Sequence, residues 1–117
     1  MDADARAIET IEAYFRAFRE RDRATLERIL VPDLRHVSPF GTQTARDTML
    51  DTVWPQLGPI WVLELAIYGR HPEFLAHYRH GGASDAHLAE RFRFNGDRIV
   101  EVEVYLGLGA VPGPTSS

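Results

Sequence analysis

The chain has 117 residues, an apolar share of 44% and a charged share of 26%, the profile of one globular domain with enough apolar surface for a core. Its 17 acidic and 13 basic residues leave a net charge of -4, which gives no electrostatic case for nucleic acid or an anionic membrane as partner. There is no cysteine, so disulfides, thiolate metal sites and thiol catalysis are excluded.

The opening "MDADARAIETIEAY" is acidic and lacks a charged-then-apolar leader pattern, and no run approaches the roughly 18 apolar residues of a membrane span. A cytoplasmic location is the expectation. Ile8, Ile11, Phe15 and Phe18 recur at helical spacing and predict a helix over 3–21, with Tyr14 beside the apolar stripe. Asp22 is placed to cap a second, short helix carrying Leu26, Ile29 and Leu30, which Pro32 and Asp33 should end. "LRHVSPFG" then reads as a short strand stopped by Pro39 and Gly41, with His36 and Ser38 on one face. Thr44 is a candidate cap for a third helix burying Met49, Leu50, Val53, Trp54 and Leu57. Pro55 should kink or stop that helix near Trp54.

From Ile60 the texture becomes that of strands: "IWVLELAIYG", "EFLAHYRH", "AHLAERFRF" and "IVEVEVYLG", separated by Gly, Pro and Asn-Gly. Three helices with one early strand, then four strands, predict an α+β domain over 1–108. The Gly-, Pro- and Ser-rich end, 109–117, reads as a flexible tail.

The last hairpin is constrained by parity, because residues directly opposite each other on antiparallel strands point to the same face. A two-residue turn at Asn95-Gly96 would set Arg91 against Val100 and Glu90 against Glu101, which suits neither face. An odd-length turn brings Arg91 and Arg93 next to Glu101 and Glu103, and turns Glu90, Phe92 and Phe94 toward Val100, Val102 and Val104. Glu90 is thus expected as a carboxyl on the apolar face.

"IEAYFRAFRERDRATLERIL", "HVSPFG" and "ERFRFNGDRIVEVEVYLG", in that order and spacing, resemble the nuclear transport factor 2 (NTF2)-like superfamily, which includes SnoaL-like polyketide cyclases and ketosteroid isomerase. The resemblance implies a cone-shaped half-barrel, with three N-terminal helices packed in a curved antiparallel sheet. In ketosteroid isomerase a helix-1 tyrosine and a protonated acid form the oxyanion hole while a second carboxylate moves the proton. By that resemblance Tyr14 matches the tyrosine and Glu90 the protonated acid, while Ser38 stands where the base would be. A serine needs a partner to serve as a base, and His36, two residues away on the same face, is the candidate replacement. The same registration turns His77 inward beside Leu75. The resulting hollow would be walled by Phe15, Phe18, Trp54, Phe92 and Val102.

Each residue also has a plainer role. Glu90 can be a structural ion pair or hydrogen bond to His36, His77 or Arg79; Tyr14 a core phenol; His36 and His77 sheet histidines; Ser38 a turn residue ahead of Pro39; and Trp54 packing. A metal set of His36, His77 and Glu90 has no support in local spacing, and no cofactor is expected. The implied function is acid–base isomerisation or cyclisation of a small apolar carbonyl compound. The alternative is a non-catalytic small-molecule-binding or dimerisation module. Phe74, Ala76, Tyr78 and Tyr105 are expected on the outer sheet face, where a second copy would cover them to make a homodimer.

Overall fold

The computed structural model describes residues 2–39, 41–53, 61–81 and 86–105. Helix α1 spans Ala3–Glu20 and begins where the Asp2 side chain accepts from the Ala5 N–H at 2.7 Å. It ends at Arg21, in the left-handed region at φ 56°, after which the Asp22 N–H returns to the Ala17 carbonyl at 2.8 Å. Asp22 then caps α2, Arg23–Ile29, by accepting from both the amide and the hydroxyl of Thr25.

The short α2 runs straight into strand β1, Leu30–Ser38, so Pro32 and Asp33 do not close the helix as expected but lie exposed within the strand. The strand tolerates Pro32 because its pairing with β6 (Arg98–Tyr105) is interrupted there: Leu30 pairs with Ile99, and the ladder resumes only at Arg35 with Glu101. A residue without an N–H fits such a gap. The carbonyls at the end of α2 are satisfied from outside. Arg46 donates to Glu27 and Leu30, and Arg98 donates to Glu27, Arg28 and Leu30.

A three-residue strand, β2 (Gly41–Gln43), folds back on β1, and helix α3 follows at Arg46–Val53. Strands β3 (Trp61–Arg70), β4 (Glu73–Gly81) and β5 (Ala86–Asn95) complete an open six-stranded sheet of order β2-β1-β6-β5-β4-β3, antiparallel except at β1 and β6. Gly69, at φ 123°, approaches the next strand so closely that a Cβ there would sit 2.5 Å from the Glu73 carbonyl oxygen. This is the expected α+β half-barrel, with the helices on one face of the sheet. Among the described residues no helix is long and apolar enough to cross a membrane.

The last hairpin takes the register that charge and burial demanded: Arg91 opposes Glu103, Arg93 opposes Glu101, Phe92 opposes Val102 and Glu90 opposes Val104. The means differ from the expectation. The turn itself is two residues long, with Asn95 opposite Arg98, and a bulge that leaves Val100 unpaired restores the parity.

Strand β4 overturns an expectation. Phe74, Ala76 and Tyr78 are buried, not exposed on the outer face, because they pair with Phe92, Glu90 and Leu88 and share the inner face with them. Of the four residues expected outside, Tyr105 is exposed. The core under the helices joins Ile11, Tyr14, Phe15 and Phe18 of α1, Leu26 of α2 and Met49 and Leu50 of α3 to that inner face.

Candidate functional site

Glu90 projects from β5 into the core beneath α1, at 5% exposure. Its Oε2 accepts a hydrogen bond of 2.7 Å from the Tyr78 hydroxyl, donated from the neighbouring strand. Tyr14 brings a second phenol to the same carboxyl from α1, with its ring 5.0 Å from Phe92 and 4.8 Å from Phe18. Oε1 makes no well-formed hydrogen bond with any described residue. No guanidinium, ammonium or imidazole pairs with the carboxyl among the described residues, so the expected ion pair to His36, His77 or Arg79 is not the arrangement found.

This setting decides the proton's position. Burial disfavours the charged carboxylate and pushes the Glu90 pKa up to about 7, although the phenols of Tyr78 and Tyr14 pull in the other direction. The same burial, with the carboxylate beside them, drives both phenols far above their ordinary range, so they remain donors. Near neutral pH the site therefore holds two permanent O–H groups and one carboxyl that gives up or takes a proton readily. A group poised in this way suits general acid–base chemistry.

His36 lies on β1 at 3% exposure, and its Nδ1 has no hydrogen-bond partner among the described residues. Burial lowers its pKa to about 4, so the ring is neutral at pH 7. It pairs with Val102 of β6, which pairs with Phe92 of β5, so His36 and Glu90 occupy the same inner face two strands apart. At about 4.8 Å per strand, their backbones are separated by about 10 Å across the sheet, too far for a direct bond between the side chains. Ser38 follows on the same face, half-buried and engaged in a contact of its own.

His77 is not part of this constellation. Ala76 is the residue opposite Glu90, so its neighbour His77 points to the other face, where it pairs with Ala89 and sets its ring edge-on to Tyr68 at 5.7 Å. Leu75, expected inward with it, is likewise on the outer face, opposite Tyr68 and Arg91. Of the expected hollow's walls, Phe15, Phe18, Phe92 and Val102 are all buried around Tyr14, and Trp54 lies outside the described residues. Tyr78 was missed by the sequence reading because it was assigned to the wrong face of β4.

Among the cavities lined by described residues, two flank α1. One, of about 150 Å³, lies between α1 and β3 and is lined by Glu12, Phe15, Arg16, Arg19, Val62 and Leu65. The other, about 610 Å³, is an outer groove where α1 and the end of α2 meet Asp97 and Arg98. Neither is lined by Glu90, Tyr14 or His36.

No family model matches the sequence, and no curated protein matches it. Solved structures do. A candidate SnoaL-like polyketide cyclase from Jannaschia sp. CCS1 is similar at a TM-score of 0.81 and 12% identity, over 92% of this chain and 90% of that one. An NTF2-like protein of unknown function from Cytophaga hutchinsonii ATCC 33406 matches at 0.75 and 8% identity, over 86% and 89% of the two chains. TerC, crystallised with polyporic acid, matches at 0.74 and 17% identity, over 87% and 92%. At such identities the likeness is one of fold alone: the chain has the NTF2-like fold.

Proposed function

We propose that the chain is an acid–base isomerase or cyclase acting on a small apolar carbonyl compound, with Glu90 as its proton-transfer group. The observation that carries this reading is a buried carboxyl poised near neutrality, hydrogen-bonded on one oxygen by Tyr78 and without a well-formed hydrogen bond on the other among the described residues. The likeness in fold to a candidate polyketide cyclase and to a protein crystallised with polyporic acid supports a small-molecule substrate.

In this mechanism neutral His36 takes a proton from the carbon next to the substrate carbonyl. The C–H pair becomes a carbon–carbon double bond, and the carbonyl π pair moves onto oxygen. Protonated Glu90 donates to that oxygen as charge develops there, while Tyr78 and Tyr14 stabilise the carboxylate left behind. Return of the His36 proton to a different carbon, and of the oxygen's proton to Glu90, completes an isomerisation with no net gain or loss. Phe15, Phe18, Phe92 and Val102 supply the apolar wall, and no cofactor is called on.

The test is direct. Carboxyl NMR of the Glu90 side chain should give a midpoint near 7; a value near that of free glutamate would overturn the acid–base role. On an enolisable cyclic ketone, Glu90→Gln should lower turnover about a hundredfold or more.

One observation favours a second reading, a non-catalytic small-molecule-binding or dimerisation module: the absence of a carboxylate base at Ser38. Glu90→Gln separates the two, since a binder keeps its ligand. In either case a homodimer through the outer sheet face is supported by exposed Leu63, Tyr68 and Tyr105 around half-buried Leu75 and His77. Light scattering that gives one chain's mass at micromolar concentration would refute the dimer.

A further inference from the structure

Strand β3 does not run straight. Its ladder with β4 slips between Leu63 and Ala66, and Glu64, inside the slip, adopts a left-handed φ of 56° that only glycine takes freely. Leu63 and Ala66 stay on the outer face, opposite Arg79 and His77. The slip therefore lets Val62 and Leu65, which a regular strand would point to opposite faces, both pack toward the helices. Those two side chains form one wall of the cavity of about 150 Å³, and Phe15, Arg16, Arg19 and Glu12 of α1 form the other.

Phe15 belongs to two environments at once. It lines this cavity, and its ring packs on Tyr78 at 4.9 Å, the residue that donates to Glu90. Tyr78 in turn holds Oε2 of Glu90, whose buried Oε1 makes no well-formed hydrogen bond with any described residue. A cavity of this size with Phe, Leu and Val in its walls accepts a single aromatic ring. Its α1 rim carries two arginines against one glutamate, and Arg19 is shared with Glu20 at 3.6 Å.

We infer that the cavity between α1 and the bulged part of β3 is the entrance to Glu90, that Phe15 is its gate, and that it admits an aryl compound bearing an anionic substituent. The flat ring enters over Leu65 and Val62, the anion stays at the rim on Arg16 and Arg19, and rotation of Phe15 exposes Tyr78 and Glu90 to the inner edge of the ring. This rests on the acid–base reading of Glu90 and adds to it a route and a ligand class.

The probe is 2-naphthoate, whose unsubstituted ring is the one the cavity accepts while the carboxylate-bearing ring stays at the mouth beside Arg16 and Arg19, with neutral 2-naphthol as its uncharged counterpart, followed by calorimetry and stopped-flow fluorescence. The full chain should bind naphthoate one to one. Leu65→Trp, which fills the cavity from its half-buried wall, should weaken binding by about tenfold or more. Arg16→Gln with Arg19→Gln should weaken naphthoate about threefold and leave naphthol unchanged. Phe15→Leu should raise the association rate, whereas Ile11→Val, on the same helix but away from this cavity, should not. Absence of saturable binding, or wild-type affinity in Leu65→Trp, overturns the inference. If naphthoate binds as described while Glu90 titrates like a free glutamate, the entrance stands as a binding site and its link to Glu90 falls; the converse result removes the entrance alone.

Discussion

Glu90 on β5 and Glu101 on β6 sit on adjacent strands, on opposite faces of one sheet, and their exposures are nearly equal at 5% and 7%. Their protons behave in opposite ways. Burial raises Glu90 to about 7, against two phenols that stabilise its charge only partly. Burial also pushes Glu101 up, but Arg35, Arg93 and Arg91 all converge on its carboxylate and bring it below its ordinary value. Accessibility alone therefore does not decide the ionisation of a carboxyl in this molecule. What decides it is whether the desolvated charge finds a cation. The outer face supplies guanidinium groups and becomes a structural charge ladder. The inner face supplies only neutral O–H donors and keeps a carboxyl that exchanges its proton in the physiological range.

The largest expected effect in this comparison is the pH dependence of Glu90→Gln. In the folded chain Glu90 holds a proton that the unfolded chain has already released, so its cost to stability is absent below pH 4.5, grows between 4.5 and about 7, and is complete above that. The glutamine variant, neutral throughout, should gain on the wild type by on the order of 3 kcal/mol between pH 4 and pH 8. Urea unfolding at the two pH values reads this, and a pH-independent difference would mean that Glu90 is not buried uncharged.

Next is Arg91→Ala. Arg91 donates to Glu73, Glu101 and Glu103 at 2.9, 3.3 and 3.1 Å, tying three carboxylates together across the outer face. Its removal leaves Glu101 buried with part of its compensation gone, and should cost about 2 kcal/mol at neutral pH. Glu101→Gln should cost less, about 1 kcal/mol, because Arg35 and Arg93 are each about half exposed and recover water. The sign here is opposite to that of Glu90. A lowered folded pKa adds stability that is present above about 4.5 and lost as pH falls through the folded value, so the Glu101→Gln deficit should vanish in acid. A deficit unchanged at pH 3 would assign the effect to packing instead.

The same contrast explains how much was legible in the sequence. Helix α1 followed from the Ile11, Phe15 and Phe18 stripe, and the start of α2 from Asp22, because both signals are local. The register of β5 on β6 followed because every alternative placed Arg91 or Glu101 against the wrong partner. Nothing comparable constrains β4. In "EFLAHYRH" Phe74, Ala76 and Tyr78 alternate with Leu75 and His77, so both faces are partly apolar, and in "HGGASDAH" the turn signals spread over Gly81, Gly82, Ser84 and Asp85, which fixes no single loop length. The inverted reading sent His77 inward and hid Tyr78, the phenol that meets Glu90. The pairing of Ala76 with Glu90 is a long-range fact that only the assembled sheet discloses. Strand β2 was missed for another reason, since three residues beside a Pro-Phe-Gly turn hold too little pattern to register.

The smallest effect tests how the two phenols share the inner carboxyl. Tyr78 makes a well-formed bond to Oε2, whereas Tyr14 reaches the carboxyl with no well-formed bond to Oε1. Both stabilise the charged form, so removing either hydroxyl should raise the Glu90 midpoint above about 7. Tyr78→Phe should raise it more, by on the order of half a pKa unit, and cost about 1 kcal/mol for the lost hydrogen bond. Tyr14→Phe should move the midpoint less and leave stability close to wild type, because no well-formed bond is broken. Carboxyl NMR of the two variants distinguishes them. A larger shift in Tyr14→Phe would mean that the α1 phenol, and not Tyr78, is the principal donor to the carboxylate.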